Sequence, residues 1–187
     1  GTNGSRVVSI EKSCQDVVVR GNTFRNGGRG SWINQPRNLT MEDNVFEHNT
    51  TKCEPDPKRG RRSFLTGGYE EYAEMYFTVY EPGGAYGSVV IRNNRFISGP
   101  NAKHAMTFMP GGTNIVIQGN RFEGPARDIP PVKGCSGVDI SGNTGLLPDM
   151  DPDDQVQYRG IPDQKGPRSQ QRHRDHVWPR WTVLILC

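Results

Sequence analysis

Five short segments repeat one pattern of apolar and polar positions: VVVRGNTF (17–24), LTMEDNVF (39–46), VVIRNNRF (89–96), IVIQGNRF (115–122) and VDISGNTG (138–145). Each opens with an alternating or β-branched run, which reads as a strand. A polar residue, an Asn, one further residue and, in four of the five, a Phe then follow. The asparagines are Asn22, Asn44, Asn94, Asn120 and Asn143, at intervals of 22, 50, 26 and 23 residues. The long interval is either two periods or one period with an insertion of about 25 residues. A second strand sits in each period: VVSI (7–10), SWIN (31–34), MYFTVY (75–80), AMTFM (105–109) and RDIP (127–130), most of them followed by Gly or Pro turns. A strand–turn–strand–turn unit of about 23–25 residues is one coil of a solenoid. Leu is too scarce for a leucine-rich repeat. The pattern predicts an all-β, right-handed parallel β-helix of about five coils over residues 1–146, with an irregular tail over 147–187.

Strand alternation makes the orientation specific. Val89 and Ile91 face one way, Val90 and Arg92 the other. Phe24, Phe46, Phe96 and Phe122 are expected to stack inside. The recurrent Asn is expected to sit in a left-handed or turn conformation at the corner and to bond the Asn of the next coil.

Composition agrees. The chain has 23 Gly and 14 Pro in 187 residues and only 33% hydrophobic residues. Gly and Pro are the two poorest helix formers, so a helical bundle is disfavoured. Charge is mixed, with a net charge of +3, which argues neither for a nucleic-acid partner nor for disorder. No apolar run approaches the ~18 residues of a membrane-spanning helix. Four cysteines, Cys14, Cys53, Cys135 and Cys187, form no C-x-x-C pair, so no zinc site is expected and Cys14 and Cys135 read as buried thiols. The chain starts at Gly1 without a basic-then-apolar leader. That start is expected of a processed protein or a fragment of a longer solenoid.

The NTF, NVF and NRF strand ends resemble the pectin-lyase-like superfamily of right-handed β-helix proteins, over about residues 7–146. The stretch NTFRNGGRGSWINQPRNLTMEDNVF (22–46) also looks like a coil of the β-helix α-1,3-galactosidases. The resemblance implies a secreted, cell-surface or periplasmic protein that acts as a monomer on a polysaccharide or oligosaccharide: part of a glycosidase or polysaccharide lyase. The alternative is a non-catalytic glycan-binding or structural module. No cofactor is implied, apart from a cation such as calcium if the reaction is elimination.

Superposing the second strands on Ile10, Ile33, Val79, Phe108 and Ile129 turns these five inward. Ser9, Trp32, Thr78, Thr107 and Asp128, one position before, then face outward. So do Glu11, Asn34, Tyr80, Met109 and Pro130, one position after. Trp32 and Tyr80 would stack on sugar rings, with Asn34 beside them. Arg29, Glu74, Lys103 and His104 fall near the starts of these strands, on coils about 4.8 Å apart. Glycoside hydrolysis needs two carboxyl groups, and Glu74 with Asp128 is the expected pair, both clear of the core. Elimination needs a base beside a uronate, for which Lys103, His104, Arg29 and Arg127 supply the residue types. Arg29 and Arg127 would also contact the sugar. The loop between Asn44 and Asn94, with KRGRR (58–62) and Glu70-Glu71, is long enough to carry function. The final run, 177–187, is expected either to cap an open end of the solenoid or to be an unnatural terminus.

Overall fold

The computed structural model describes residues 6–12, 14–51, 73–79, 83–102, 104–129, 132, 134–147 and 183–185. Among these there are fourteen strands and no helix. The first sheet holds β1 (Val8–Ile10), β4 (Ser31–Asn34), β7 (Ala73–Thr78), β10 (His104–Phe108) and β14 (Val183–Ile185). The second holds β2 (Gln15–Arg20), β5 (Arg37–Glu42), β8 (Tyr86–Arg92), β11 (Gly112–Gln118) and β13 (Ser136–Ser141). The third holds β3 (Thr23–Arg25), β6 (Val45–Glu47), β9 (Arg95–Ile97) and β12 (Arg121–Glu123). From β1 to β12 the strands join the three sheets in strict rotation. Every pairing is parallel, and each of these strands up to β9 pairs with the one three elements further on. This architecture is compatible with the parallel β-helix expected from the repeat.

The core follows from alternation. Leu39, Met41, Val89, Ile91, Ile115 and Ile117 of the second sheet are fully buried, each stabilising the fold by about 1.5–3 kcal/mol. The four Phe residues stack in one column, with ring centroids 5.1, 5.0 and 5.2 Å apart from Phe24 through Phe46 and Phe96 to Phe122. A second stack joins Phe77 to Phe108 at 4.6 Å. Cys14 is buried and Cys135 half-buried, and both are free thiols.

The Asn ladder forms, but the ladder Asn is not itself left-handed. The left-handed residue is the one before each Asn: Gly21, Asp43, Asn93, Gly119 and Gly142, with φ between 54° and 67°. Gly, Asp and Asn tolerate that region best. The turn they make leaves the following Asn free to point across to the next period. Asn44 N–H and Nδ2 both donate to Asn94 Oδ1 at 3.0 Å, and Nδ2 also reaches Val19 O at 2.8 Å. These bonds settle the long interval: Asn44 and Asn94 are direct neighbours, so it is one period with an insertion. Residues 52–72 of that insertion lie outside the described residues. A second left-handed column, Asp16, Asn38, Ser88, Asn114 and Gly137, bends each strand of the second sheet near its start.

At Gly119 (φ 63°) a Cβ would also lie 2.7 Å from Asn93 Oδ1, whereas at Gly21 (φ 67°) nothing lies within 4 Å. Gly21→Ala should cost about 1 kcal/mol from backbone strain alone. Gly119→Ala should cost about 2 kcal/mol. Urea melts of the two variants check this, and equal costs would show that the contact with Asn93 is immaterial.

Of residues 147–187, expected as an irregular tail, the described ones are Leu147 and the strand β14. β14 pairs in parallel with β1, Val8 opposite Val183 and Ile10 opposite Ile185, so part of the final run covers an edge of the first sheet.

Candidate functional site

The insertion displaces the register of the first sheet by two residues. Ile33 pairs with Phe77, not Val79, and Phe77 pairs with Phe108. Trp32 is therefore opposite Tyr76, and Asn34 opposite Thr78. Thr107 follows Tyr76 on the next strand. The aromatic partner of Trp32 is thus Tyr76, at 5.4 Å and 57°; Tyr80 lies outside the described residues. Arg6 places its guanidinium 3.9 Å over the Trp32 ring, a cation–π contact.

This face is less open than the sequence suggests. Trp32 is 7% exposed, Tyr76 3%, Thr107 1% and Asn34 0%. Alternation nevertheless turns them away from the main core, whose buried apolar members on these strands are Ile33, Met75, Phe77, Met106 and Phe108. Neither polar atom of the Asn34 amide, nor Thr107 Oγ1, has a hydrogen-bond partner. Such groups are costly to bury unpaired.

His104 and Asp128 meet. The chain after β12 runs beside β10, so that Ala105 N–H donates to Asp128 O at 2.9 Å. Asp128 is therefore opposite the start of β10, not opposite Thr107. His104 Nδ1 and Asp128 Oδ2 are 2.6 Å apart, with side-chain exposures of 11% and 6%. A carboxylate on Nδ1 fixes the ring and leaves Nε2 to take up or release a proton. Arg127, next to Asp128, is half-buried, and its Nε has no partner. Arg29 is half-buried at the turn before β4. Lys103 lies outside the described residues.

Glu74 is not an outward group clear of the core, as expected; it is fully buried. Its carboxylate accepts Asn49 N–H at 3.0 Å, Gly99 N–H at 3.3 Å and Thr50 Oγ1–H at 3.4 Å. The cause is visible in the repeat. Three residues after each Phe of the column come Gly27, Asn49 and Gly99. Asn49 Oδ1 accepts Gly27 N–H at 3.0 Å and its Nδ2 donates to Phe24 O at 3.0 Å, making a second side-chain rung. Gly99 has no side chain to continue that rung towards Asn49, and the Glu74 carboxylate, arriving from β7, occupies the place. Burial raises its pKa to about 7, against the opposing pull of the backbone donors. The carboxyls of Glu74 and Asp128 thus have separate partners. Among the described residues no three of His, Cys, Asp and Glu converge as metal ligands.

The sequence missed Tyr76, because the insertion hid the register, and it missed the rung at Asn49. A signal for the rung existed: Asn49 is the single Asn in a column otherwise occupied by Gly27, Gly99 and Pro125.

Over 129 residues the chain is 29% identical to alpha-1,3-galactosidase B of Bacteroides fragilis, an alignment covering 58% of this chain and 19% of the relative. Over 150 residues it is 27% identical to alpha-1,3-galactosidase B of Phocaeicola vulgatus, covering 69% of this chain and 22% of the relative. The chain spans about a fifth of the length of these curated relatives. No family model and no solved structure matches it. The chain is therefore similar, in part, to a glycosidase.

Proposed function

We propose that the chain is a stretch of right-handed parallel β-helix, about five coils long, from a secreted or surface-displayed glycosidase, with the sugar held on the outer face of the first sheet. The observation that carries the reading is the buried His104–Asp128 pair on the sheet that also bears the Trp32–Tyr76 rung. The similarity to two galactosidases supports it. Aromatic rings stack on the C–H faces of sugars, and the uncommitted Asn34 amide and Thr107 hydroxyl supply groups that sugar hydroxyls can bond. Asp128 and His104 act together as the acid–base pair of this site. Glu74 has a pKa suited to a general acid, yet its oxygens serve the backbone of two turns. In this reading it is a positioning residue, holding Asn49 and Gly99 in place, and the second carboxyl that hydrolysis requires is not Glu74.

A glycan array combined with a turnover screen on α-galactosides tests this. Expected is binding with slow hydrolysis, and a loss of about 10²–10⁴-fold in kcat for Asp128→Asn with an unchanged far-ultraviolet spectrum. Binding without turnover would replace the glycosidase by a non-catalytic glycan-binding module. An unsaturated uronide product would replace hydrolysis by elimination, with His104 or Lys103 as base. No binding to any glycan would sink the reading.

A further inference from the structure

A cavity of about 340 Å³ opens at the start of the second sheet, lined by Gln15, Arg37, Asn38, Tyr86, Ser88 and Thr113 together with Ala85 and Gly87. Gly87 pairs with Arg37 on one side and Thr113 on the other, and Thr113 packs its hydroxyl over Gly87, where a Cβ would lie 2.3 Å from Oγ1. The ring of Tyr86 belongs to the core, stacked on Phe77 at 5.9 Å with its hydroxyl donating to Met109 O at 2.7 Å.

On the second and third sheets several other charged groups are paired: Arg20 and Arg92 with Glu42, Arg25 with Glu47, and Arg95 and Arg121 with Glu123. Gln118 bonds Asp139 and Ser141. Arg37 has no ion pair among the described residues, and neither Gln15 nor Ser88 makes a side-chain hydrogen bond among them. Asp16 on β2 accepts Asn38 Nδ2 at 2.8 Å, which leaves Asn38 Oδ1 as an acceptor. The cavity thus presents one cation without an ion pair, two carboxamides and two hydroxyls, of which the Thr113 hydroxyl reaches Tyr86 O at 3.4 Å. Its volume falls in the lower part of the ~300–1,000 Å³ range of small-molecule sites.

We infer that this cavity, on a different sheet from His104, is a second saccharide subsite, which takes a sugar unit bearing an anionic substituent, a carboxylate or a sulfate ester. That the ligand is a sugar rests on the carbohydrate reading above; that it is anionic rests on Arg37. A planar guanidinium binds either oxyanion through paired N–H donors, while the amides and hydroxyls bond the ring oxygens.

Titration calorimetry on the whole chain, with a sulfated galacto-oligosaccharide, a glucuronate-terminated oligosaccharide and a neutral galacto-oligosaccharide, decides the matter. At least one anionic ligand should bind about tenfold more tightly than the neutral one, and which one does so identifies the substituent. Arg37→Gln should abolish that preference. Arg95→Gln, which removes the same charge from the third sheet, should leave it intact. Neutral and anionic ligands binding alike, equal losses in the two arginine variants, or no anionic binding would each overturn the inference. An anionic preference that survives Arg37→Gln would do so while leaving the glycosidase reading standing. Anionic binding lost only in Arg37→Gln would uphold it even if Asp128→Asn proved silent in turnover.

Discussion

Glu74→Gln should remove a pH dependence of folding stability worth roughly 3 kcal/mol, spread between pH 4.5 and about 7. The folded carboxyl titrates near 7 because it is desolvated, whereas in the unfolded chain it returns to its ordinary value of 4.5. Below pH 4.5 it is protonated in both states. Between 4.5 and about 7 the unfolded chain has released its proton and the folded chain has kept it, so stability falls as pH rises. Above about 7 both are ionised and the loss is complete. The arginine-paired carboxyls Glu42 and Glu123 are shifted the other way, downward. Their contribution disappears as pH falls below the ordinary carboxylate range, outside this window. Urea melts of wild type and Glu74→Gln at several pH values isolate the Glu74 part, since all other groups cancel in the difference. Parallel curves would show that Glu74 titrates normally and is not buried as described. Glu74→Ala tests the geometry separately. It orphans Asn49 N–H and Gly99 N–H and should cost about 2–4 kcal/mol. Gly99→Asn, whose Cβ would meet only ordinary contacts at 3.5 Å and beyond, should recover part of that loss by restoring the missing rung.

The same residue shows where the sequence stops being informative. Parallel strands and a column of phenylalanines follow from a period of apolar residues, and periods survive averaging over five copies. The side-chain rung at Asn49 occurs once, and it is completed by a residue from a different strand. Nothing local to Glu74 announces that Gly99, 25 residues later, leaves a gap for it. The register of β7 was hidden for a related reason. An insertion breaks the count, and both Phe77 and Val79 are apolar residues of the right parity. Parity therefore gave the correct face, whereas the shift by two put Tyr76 opposite Trp32 where Thr78 was expected. The His104–Asp128 contact depends on the path after β12, where there is no repeat to align. The cavity beside Gly87 is visible only once Arg37 and Thr113 are known to flank it.

The largest single effect is expected at the centre of the Asn ladder, at Asn94. Its side chain accepts from the backbone and the amide of Asn44 and donates to Met41 O at 2.8 Å, Arg92 O at 3.0 Å and Asn120 Oδ1 at 3.0 Å. It is 1% exposed, so water cannot replace these partners. Asn94→Ala leaves Asn44 N–H buried without an acceptor, a cost of about 1–3 kcal/mol, and loses further bonds worth about 1 kcal/mol each. The sum is roughly 3–5 kcal/mol, a large fraction of the stability of an ordinary domain. Asn143, at the last rung, is half-buried and bonds onward to no further Asn, so Asn143→Ala should cost about half as much. Asn94→Asp separates hydrogen bonding from shape. It keeps the acceptor for Asn44 but replaces an NH2, whose two hydrogens are shared among three oxygens, by lone pairs facing those oxygens. It should therefore be as damaging as Ala near neutral pH and milder in acid, where a protonated carboxyl can donate once. Equal, small losses at Asn94 and Asn143 in chemical denaturation would mean that the ladder follows the strand stacking and does little to hold it.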